Sequence, residues 1–343
     1  MPVIRERTAA HLPLGRPSRR RSQRGSAPRP RRPAPPIRDH DGPRGRLRPG
    51  SAWPYLLVAP TVLGMLYLLV YPLARAVLIS LQDFRLRQLI SGDARFVGLR
   101  NYETLLTDGH FWQVVRRTFL FMAVDVVLIM LLATLVALVI ERLGRPGRTA
   151  VLSALVLAWA MPVIAATTVF QWLFHSEFGI VNHTLTGLGF DSFDRYPWFA
   201  HGPAAFTILV VLIVWQSVPF AAITLYSALA TVPPELYESA RIDGAPAGRI
   251  FRSVTFPMIR PIFMLVLSLE VIWTFKAFVQ IWVMTNGGPG DATTILPVYA
   301  VQTALASQRY DLGSAASMVT VLMMAAVLVV YFRQLFRQEG EAL

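Results

Sequence analysis

VPPELYESARIDGAPAGRIFRSVTFPMIRP, residues Val232 to Pro261, is a polar stretch set between two long apolar runs, and its reading decides how the rest of the chain is arranged. Pro233 and Pro234 end the run before them and suit a helix start, since proline fixes φ and a first turn has no use for its missing N–H. Glu235 and Glu238 fall in or just after that turn, where the helix dipole favours negative charge. Leu236, Tyr237 and Ala240 give one side a short apolar stripe. Asp243-Gly244-Ala245-Pro246 then interrupts the helix: Asp243 suits the cap of a following helix, Gly244 takes positive φ or close backbone approach, and Pro246 fits a new first turn. A second helix is predicted over Ala247 to Val254, with Ile250, Phe251 and Val254 on one side. Pro257 and Pro261 mark re-entry into the next apolar segment. The expected product is a helix, a glycine corner and a second helix, held at a membrane surface.

The same residues carry a family resemblance. Glu238, Ala240, Asp243, Gly244, Ala245, Phe251, Pro257 and Pro261 match, in order and spacing, a signature of the permease subunits of bacterial binding-protein-dependent ABC importers. Ser239 stands where that family usually has its first alanine, a small-for-small departure. The resemblance implies that residues 232–261 form a coupling loop whose short helix sits in a cleft on a cytoplasmic ATPase subunit. Phe96 to Leu106, the stretch around Gly179 and Asn182, and Thr285 to Tyr299 resemble the carbohydrate and glycerol-phosphate (maltose-type) branch, so the resemblance runs from about Trp53 to Arg337.

Composition points the same way without the motif. The chain has 343 residues, 54% hydrophobic and 15% charged, with a mean hydropathy of +0.47, which is the profile of a polytopic membrane protein. With no cysteine, disulfides and thiolate metal sites are excluded, and the six histidines show no metal-ligand spacing. No Walker lysine, catalytic triad or paired carboxylates can be assembled, so no hydrolysis is expected of the chain itself. The net charge of +13 does not mark a nucleic-acid reader, because fourteen arginines lie before Trp53 in an Arg-, Pro- and Ser-rich segment unable to bury a core. Residues 1–52 are read as a disordered cytoplasmic tail.

The expected fold is an all-α polytopic membrane protein of six spans, at about 53–81, 119–140, 150–174, 204–230, 258–284 and 312–332, with a tail over 338–343. The tail, the 141–148 turn, the 232–261 loop and the C-terminus hold twenty-three arginines, against eight in the other three loops. Positive charge accumulates on the inside, so both termini and the loop between spans four and five are expected in the cytoplasm of a bacterial inner membrane.

The solute pathway is expected on spans four and five, from Trp215, Gln216, Tyr226, Glu270, Trp273, Lys276, Gln280 and Trp282, since amides beside aromatic rings suit a sugar's hydroxyls and C–H faces. Val279 stands where relatives often have an aspartate. Asp125, the one acid inside span two, is expected to make a structural hydrogen bond. The resemblance implies a second permease subunit, two ATPase subunits holding the ATP and magnesium, and an extracytoplasmic solute-binding protein; this chain is expected to bind no cofactor or metal. Two other readings are an ion-gradient-driven transporter using Asp125, Glu270 and Lys276 as a relay, and a membrane scaffold that moves nothing.

Overall fold

The computed structural model describes residues 53–340, with side chains over 55–333; the segment read as a tail over 1–52 and the last three residues lie outside the described residues. Apolar stretches are helical throughout, because backbone groups removed from water must bond to one another. The first comprises α1 (Trp53–Met65), a π-helical turn at Leu66–Val70, and α2 (Tyr71–Ser80). Its polar continuation holds α3 (Leu86–Ser91) and α4 (Arg100–Thr107). It also holds a two-residue antiparallel pairing, Gln82–Asp83 with Arg95–Phe96, which an all-helical reading does not anticipate. Asn101 ties this region together by donating to the Ser80 and Gln82 carbonyls at 2.9 and 2.8 Å.

α5 (Gly109–Arg142) contains the expected second span and opens on Asp108, whose carboxylate accepts from the His110 N–H at 2.9 Å. The expected third span, 150–174, is instead two helices, α6 (Arg145–Trp159) and α7 (Val163–Leu173), which meet at 97°. Pro162 causes the bend: it disfavours helical backbone at Met161 and cannot donate to the preceding turn. After α8 (Ile180–Gly187) comes α9 (Gly202–Leu229), the fourth span, with Pro219 inside it.

The polar stretch forms α10 (Pro234–Ile242) and α11 (Ala247–Ile250). Here the structure departs from the predicted separate second helix, for α11 runs through a π turn at Phe251–Thr255 straight into α12 (Phe256–Phe275). The Phe256 N–H reaches back five residues to the Phe251 carbonyl. This wide turn opens the ladder just ahead of Pro257, which can donate nothing to it. α13 (Val279–Met284), α14 (Leu296–Val301), a π turn at Gln302–Ala306 and α15 (Tyr310–Gly340) complete the chain. α15 continues past 337, so the expected C-terminal tail begins within a helix. Among the described residues, five helical stretches are long and apolar enough to cross a membrane, or six if α6 and α7 make one span.

α5 and α9 form the centre of the bundle, with Ile129, Ala133 and Ala137 of one and Leu209, Leu212 and Leu225 of the other fully buried. Small side chains let the backbones approach where lipid supplies no hydrophobic drive. A second cluster joins Leu105, Phe111, Phe275, Leu296 and Ala316. By contrast, no side chain from 59 to 79 is buried, although nearly all are apolar.

The segment after α7 depends on a close backbone approach at Gly179, where a Cβ would meet the His175 carbonyl oxygen at 2.3 Å and the Leu173 carbonyl oxygen at 2.7 Å. Neither backbone atom can swing aside as a side chain would. Gly179→Ala is expected to destabilise the detergent-solubilised protein by about 1–3 kcal/mol. Gly187→Ala, with open space at its Cβ position, is expected to leave the melting temperature unchanged or slightly raised; equal effects of the two would contradict this packing.

Candidate functional site

Two places in the fold carry the residues singled out from the sequence. The first is the corner between α10 and α11. The Gly244 N–H donates to the Arg241 carbonyl and the Ala245 N–H to the Ala240 carbonyl, both at 3.0 Å, while Gly244 has φ of +72°. These paired bonds around a left-handed glycine close the helix by satisfying carbonyls that would otherwise be orphaned. Asp243 therefore ends α10, and Pro246 rather than Asp243 stands at the cap position of α11. The reason is positional: the left-handed turn uses up the residue after Asp243, so the next helix starts later. Glu238, Ser239, Asp243 and Gly244 are exposed, Ala240, Ala245 and Phe251 half-buried, and Pro257 and Pro261 lie exposed at the start of α12. Ile242, which the sequence reading passes over, is 86% exposed at the end of α10.

α10 is braced from beneath. The buried Thr255 hydroxyl donates to the Tyr237 hydroxyl at 3.3 Å, across the loop's own width.

The second place is a cavity of about 250 Å³ between α6, α9, α12 and α13, lined by Trp159, Gln216, Ser217, Trp273, Thr274 and Gln280. Both breaks in the membrane helices open onto it. The α6–α7 bend contributes Met161 and Val163, and the interruption between α12 and α13 contributes Ala277. Gln280 donates to the Gln216 side-chain oxygen at 3.1 Å, joining α13 to α9. Phe220 packs edge-on against Trp273 at 5.1 Å and is stacked with Trp159 at 6.0 Å, which fixes both indoles at the cavity wall. α13 is anchored from the far side, where Gln171 of α7 donates to the Val283 and Met284 carbonyls at 2.9 and 3.1 Å.

Of the eight expected pathway residues, the structure brings Gln216, Trp273 and Gln280 to this cavity. Trp215 points elsewhere, into an almost wholly apolar groove with Leu128, Leu132 and Val218, and its ring lies 5.8 Å from Phe170. Tyr226 is three turns further along α9, under the Arg148 guanidinium at 5.6 Å. Arg148 also donates to the Ile140, Glu141 and Leu143 carbonyls, closing the end of α5. Tyr226 is thereby part of a structural clasp. Trp282 stacks on Phe278 at 5.3 Å. Lys276 is exposed where α12 ends, a position the helix dipole favours for a cation.

Glu270 is fully buried behind the cavity, as is Asp125 on α5, within electrostatic reach of it. Ser217 is the hydroxyl that faces Glu270, but no oxygen of either carboxyl has a partner in hydrogen-bond geometry. Of the three residues of the ion-relay reading, Asp125 and Glu270 are thus neighbours, and Lys276 is exposed at the end of α12 without an ion pair to either. Trp159, Ser217 and Thr274 are not singled out by the sequence reading; the Met161-Pro162 break is the available signal for Trp159, and the four-residue spacing from Glu270 that for Thr274.

Comparison with known proteins accounts for this arrangement. Residues 129–338 match the family described as binding-protein-dependent transport system inner membrane component. The chain is 44% identical over 300 residues to the diacetylchitobiose uptake system permease protein of Streptomyces coelicolor, covering 88% of this chain and 92% of that one. It is 33% identical over 279 residues to the sulfoquinovosyl glycerol transport system permease protein of Agrobacterium fabrum, covering 81% and 88%. The trehalose/maltose transport system permease protein of Thermococcus litoralis is 32% identical over 281 residues, covering 81% and 92%. In fold, the chain is similar to a chain of a bacterial ABC transporter involved in import of the acidic polysaccharide alginate, with a TM-score of 0.72 at 19% identity over 83% of this chain and 96% of that one. Matched by the family over more than half its length and related over 88% of its length to a transport permease, the chain belongs to the inner membrane components of binding-protein-dependent transport systems, as a multi-pass permease subunit.

Proposed function

We propose that this chain forms half of the solute pathway of an ABC importer for a short, uncharged oligosaccharide, driven through the α10–α11 corner by a cytoplasmic ATPase. The observation that carries the reading is the cavity at the two helix breaks. Its polar lining is amide and hydroxyl, from Gln216, Ser217, Thr274 and Gln280, beside the faces of Trp159 and Trp273. Amides bond sugar hydroxyls at their edges, and indole faces take C–H surfaces. At about 250 Å³ the cavity is smaller than a typical ligand site of roughly 300–1,000 Å³. That size supports a site completed by a second permease subunit. The 44% identical Streptomyces protein serves diacetylchitobiose uptake, which makes that disaccharide the first solute to test. An extracytoplasmic binding protein would deliver it, as a neighbour of similar fold is solved with a sugar-bound periplasmic protein.

Coupling is assigned to Glu238, Ser239, Ala240, Asp243, Gly244, Ala245, Phe251, Pro257 and Pro261, with both termini and this loop in the cytoplasm. Open space surrounds the Gly244 Cβ position, so a side chain there disturbs the corner through its positive φ, at a cost of about 1–2 kcal/mol, and by projecting from the docking face.

Three measurements test the reading. Gly244→Leu is expected to insert normally but to lose solute-stimulated ATP hydrolysis and uptake in proteoliposomes carrying the whole importer; ordinary uptake would refute the coupling assignment. Gln280→Leu is expected to cut diacetylchitobiose uptake at least about 10-fold, the effect of losing roughly 1.4 kcal/mol at a polar contact, with the ATPase still co-purifying. Loss of the ATPase instead would mean that the two sites are confused. For orientation, the chain's lack of cysteine gives a clean background for Ser253→Cys, exposed in the π turn. A membrane-impermeant maleimide is expected to label it in inside-out vesicles only, and labelling in right-side-out vesicles would place the loop on the wrong face.

A further inference from the structure

A second cavity, of about 640 Å³, lies between the end of α5 and the corner segment. Arg142 reaches it from α5 and Arg241 from α10. Both guanidiniums are exposed, and neither has a side-chain hydrogen bond or an ion pair among the described residues. The Glu141 carboxylate lines the same cavity and pairs with neither, which leaves a net positive charge there. Leu138, Ile250 and Phe251 supply an apolar wall, while the Thr255 hydroxyl at the base is already committed to Tyr237.

The cavity wall distinguishes among possible anions. The apolar run of α5 ends at the fully buried Ile140, and charge begins at Glu141. The cavity wall therefore passes from apolar at Leu138 to basic at Arg142 within about one turn of α5. A soluble anion would gain nothing from the apolar wall. A lipid would use both halves: guanidiniums match phosphate oxygens in a two-pronged geometry, and the adjoining surface takes acyl methylenes.

We propose that this cavity holds the phosphate of an anionic membrane phospholipid, clamped between Arg142 and Arg241, with its first acyl methylenes along Leu138, Ile250 and Phe251. One wall belongs to the bundle centre and the other to the corner, so the lipid bridges the parts whose relative movement the proposed coupling requires. Lipid retention itself does not depend on that coupling, and the two can fail separately.

The test uses the full chain, purified in detergent with the subunits that accompany it and exchanged into an equimolar mixture of phosphatidylglycerol and phosphatidylethanolamine. Native mass spectrometry then counts retained lipid. Phosphatidylglycerol is expected to be held preferentially, and Arg142→Gln with Arg241→Gln is expected to weaken it about 30-fold, from about 1 kcal/mol per arginine. Arg249→Gln, exposed on the same segment but outside the cavity, is expected to leave retention unchanged. Displacement by millimolar inorganic phosphate would assign the pocket to a soluble anion and overturn the proposal. Undiminished retention in the double variant would overturn it too, as would loss of an accompanying ATPase with lipid unchanged.

Discussion

In hydrocarbon every backbone N–H and C=O has to find its partner within the protein, and the rest of this structure is arranged under that constraint. Departures from the regular helix are therefore informative. Among the described residues helix is interrupted within membrane segments at 160–162 and at 276–278, and both interruptions open onto the cavity lined by Gln216 and Gln280. Their backbone groups are not abandoned. Met161 donates to the Ala158 carbonyl at 3.3 Å, Ala277 to the Thr274 carbonyl at 3.1 Å, and the Gln171 amide serves two carbonyls at the end of α13. Irregular backbone is tolerated at membrane depth where it borders a cavity, and there it leaves room for polar side chains that a continuous helix would have pressed against a neighbour.

The same constraint shapes two of the three wide turns among the described residues. Leu66–Val70 and Phe251–Thr255 each end two residues before a proline, Pro72 and Pro257. In both, the residue just before the proline donates back five positions, Tyr71 to Leu66 and Phe256 to Phe251. Shifting the ladder by one residue accommodates a ring that can neither donate nor fit a tight turn. Proline thus does not end these helices; it widens them.

That device explains where sequence reading succeeded and where it stopped. Five of the apolar spans were legible from length alone, the bent third was not, and Gly244 was legible from its setting between a helical stripe and Pro246. Prolines were the hard part, since Pro162, Pro219 and Pro257 look alike on the page: the first bends its helix by 97°, the second lies within an unbroken one, and the third follows a π turn. Which outcome wins depends on neighbours that no local pattern encodes. Position along a helix was likewise hidden. Gln216 and Tyr226 share α9, yet one faces the cavity and the other lies under Arg148, because ten residues carry the chain about 15 Å towards the far end of the helix. Glu270 was visible as an anomaly but not as a buried neighbour of Asp125, since that proximity arises only when α5 packs on α12.

The bends around Gly244 also have a mechanical side. Nothing surrounds the position where its Cβ would be, and the corner is closed by its own two backbone bonds. If α10 takes up the load of the proposed coupling, the open space at Gly244 offers no side-chain contact there to share it. The route open to such a load is the continuous helix itself, from α11 through the π turn at 251–255 and along α12 to the break beside Trp273.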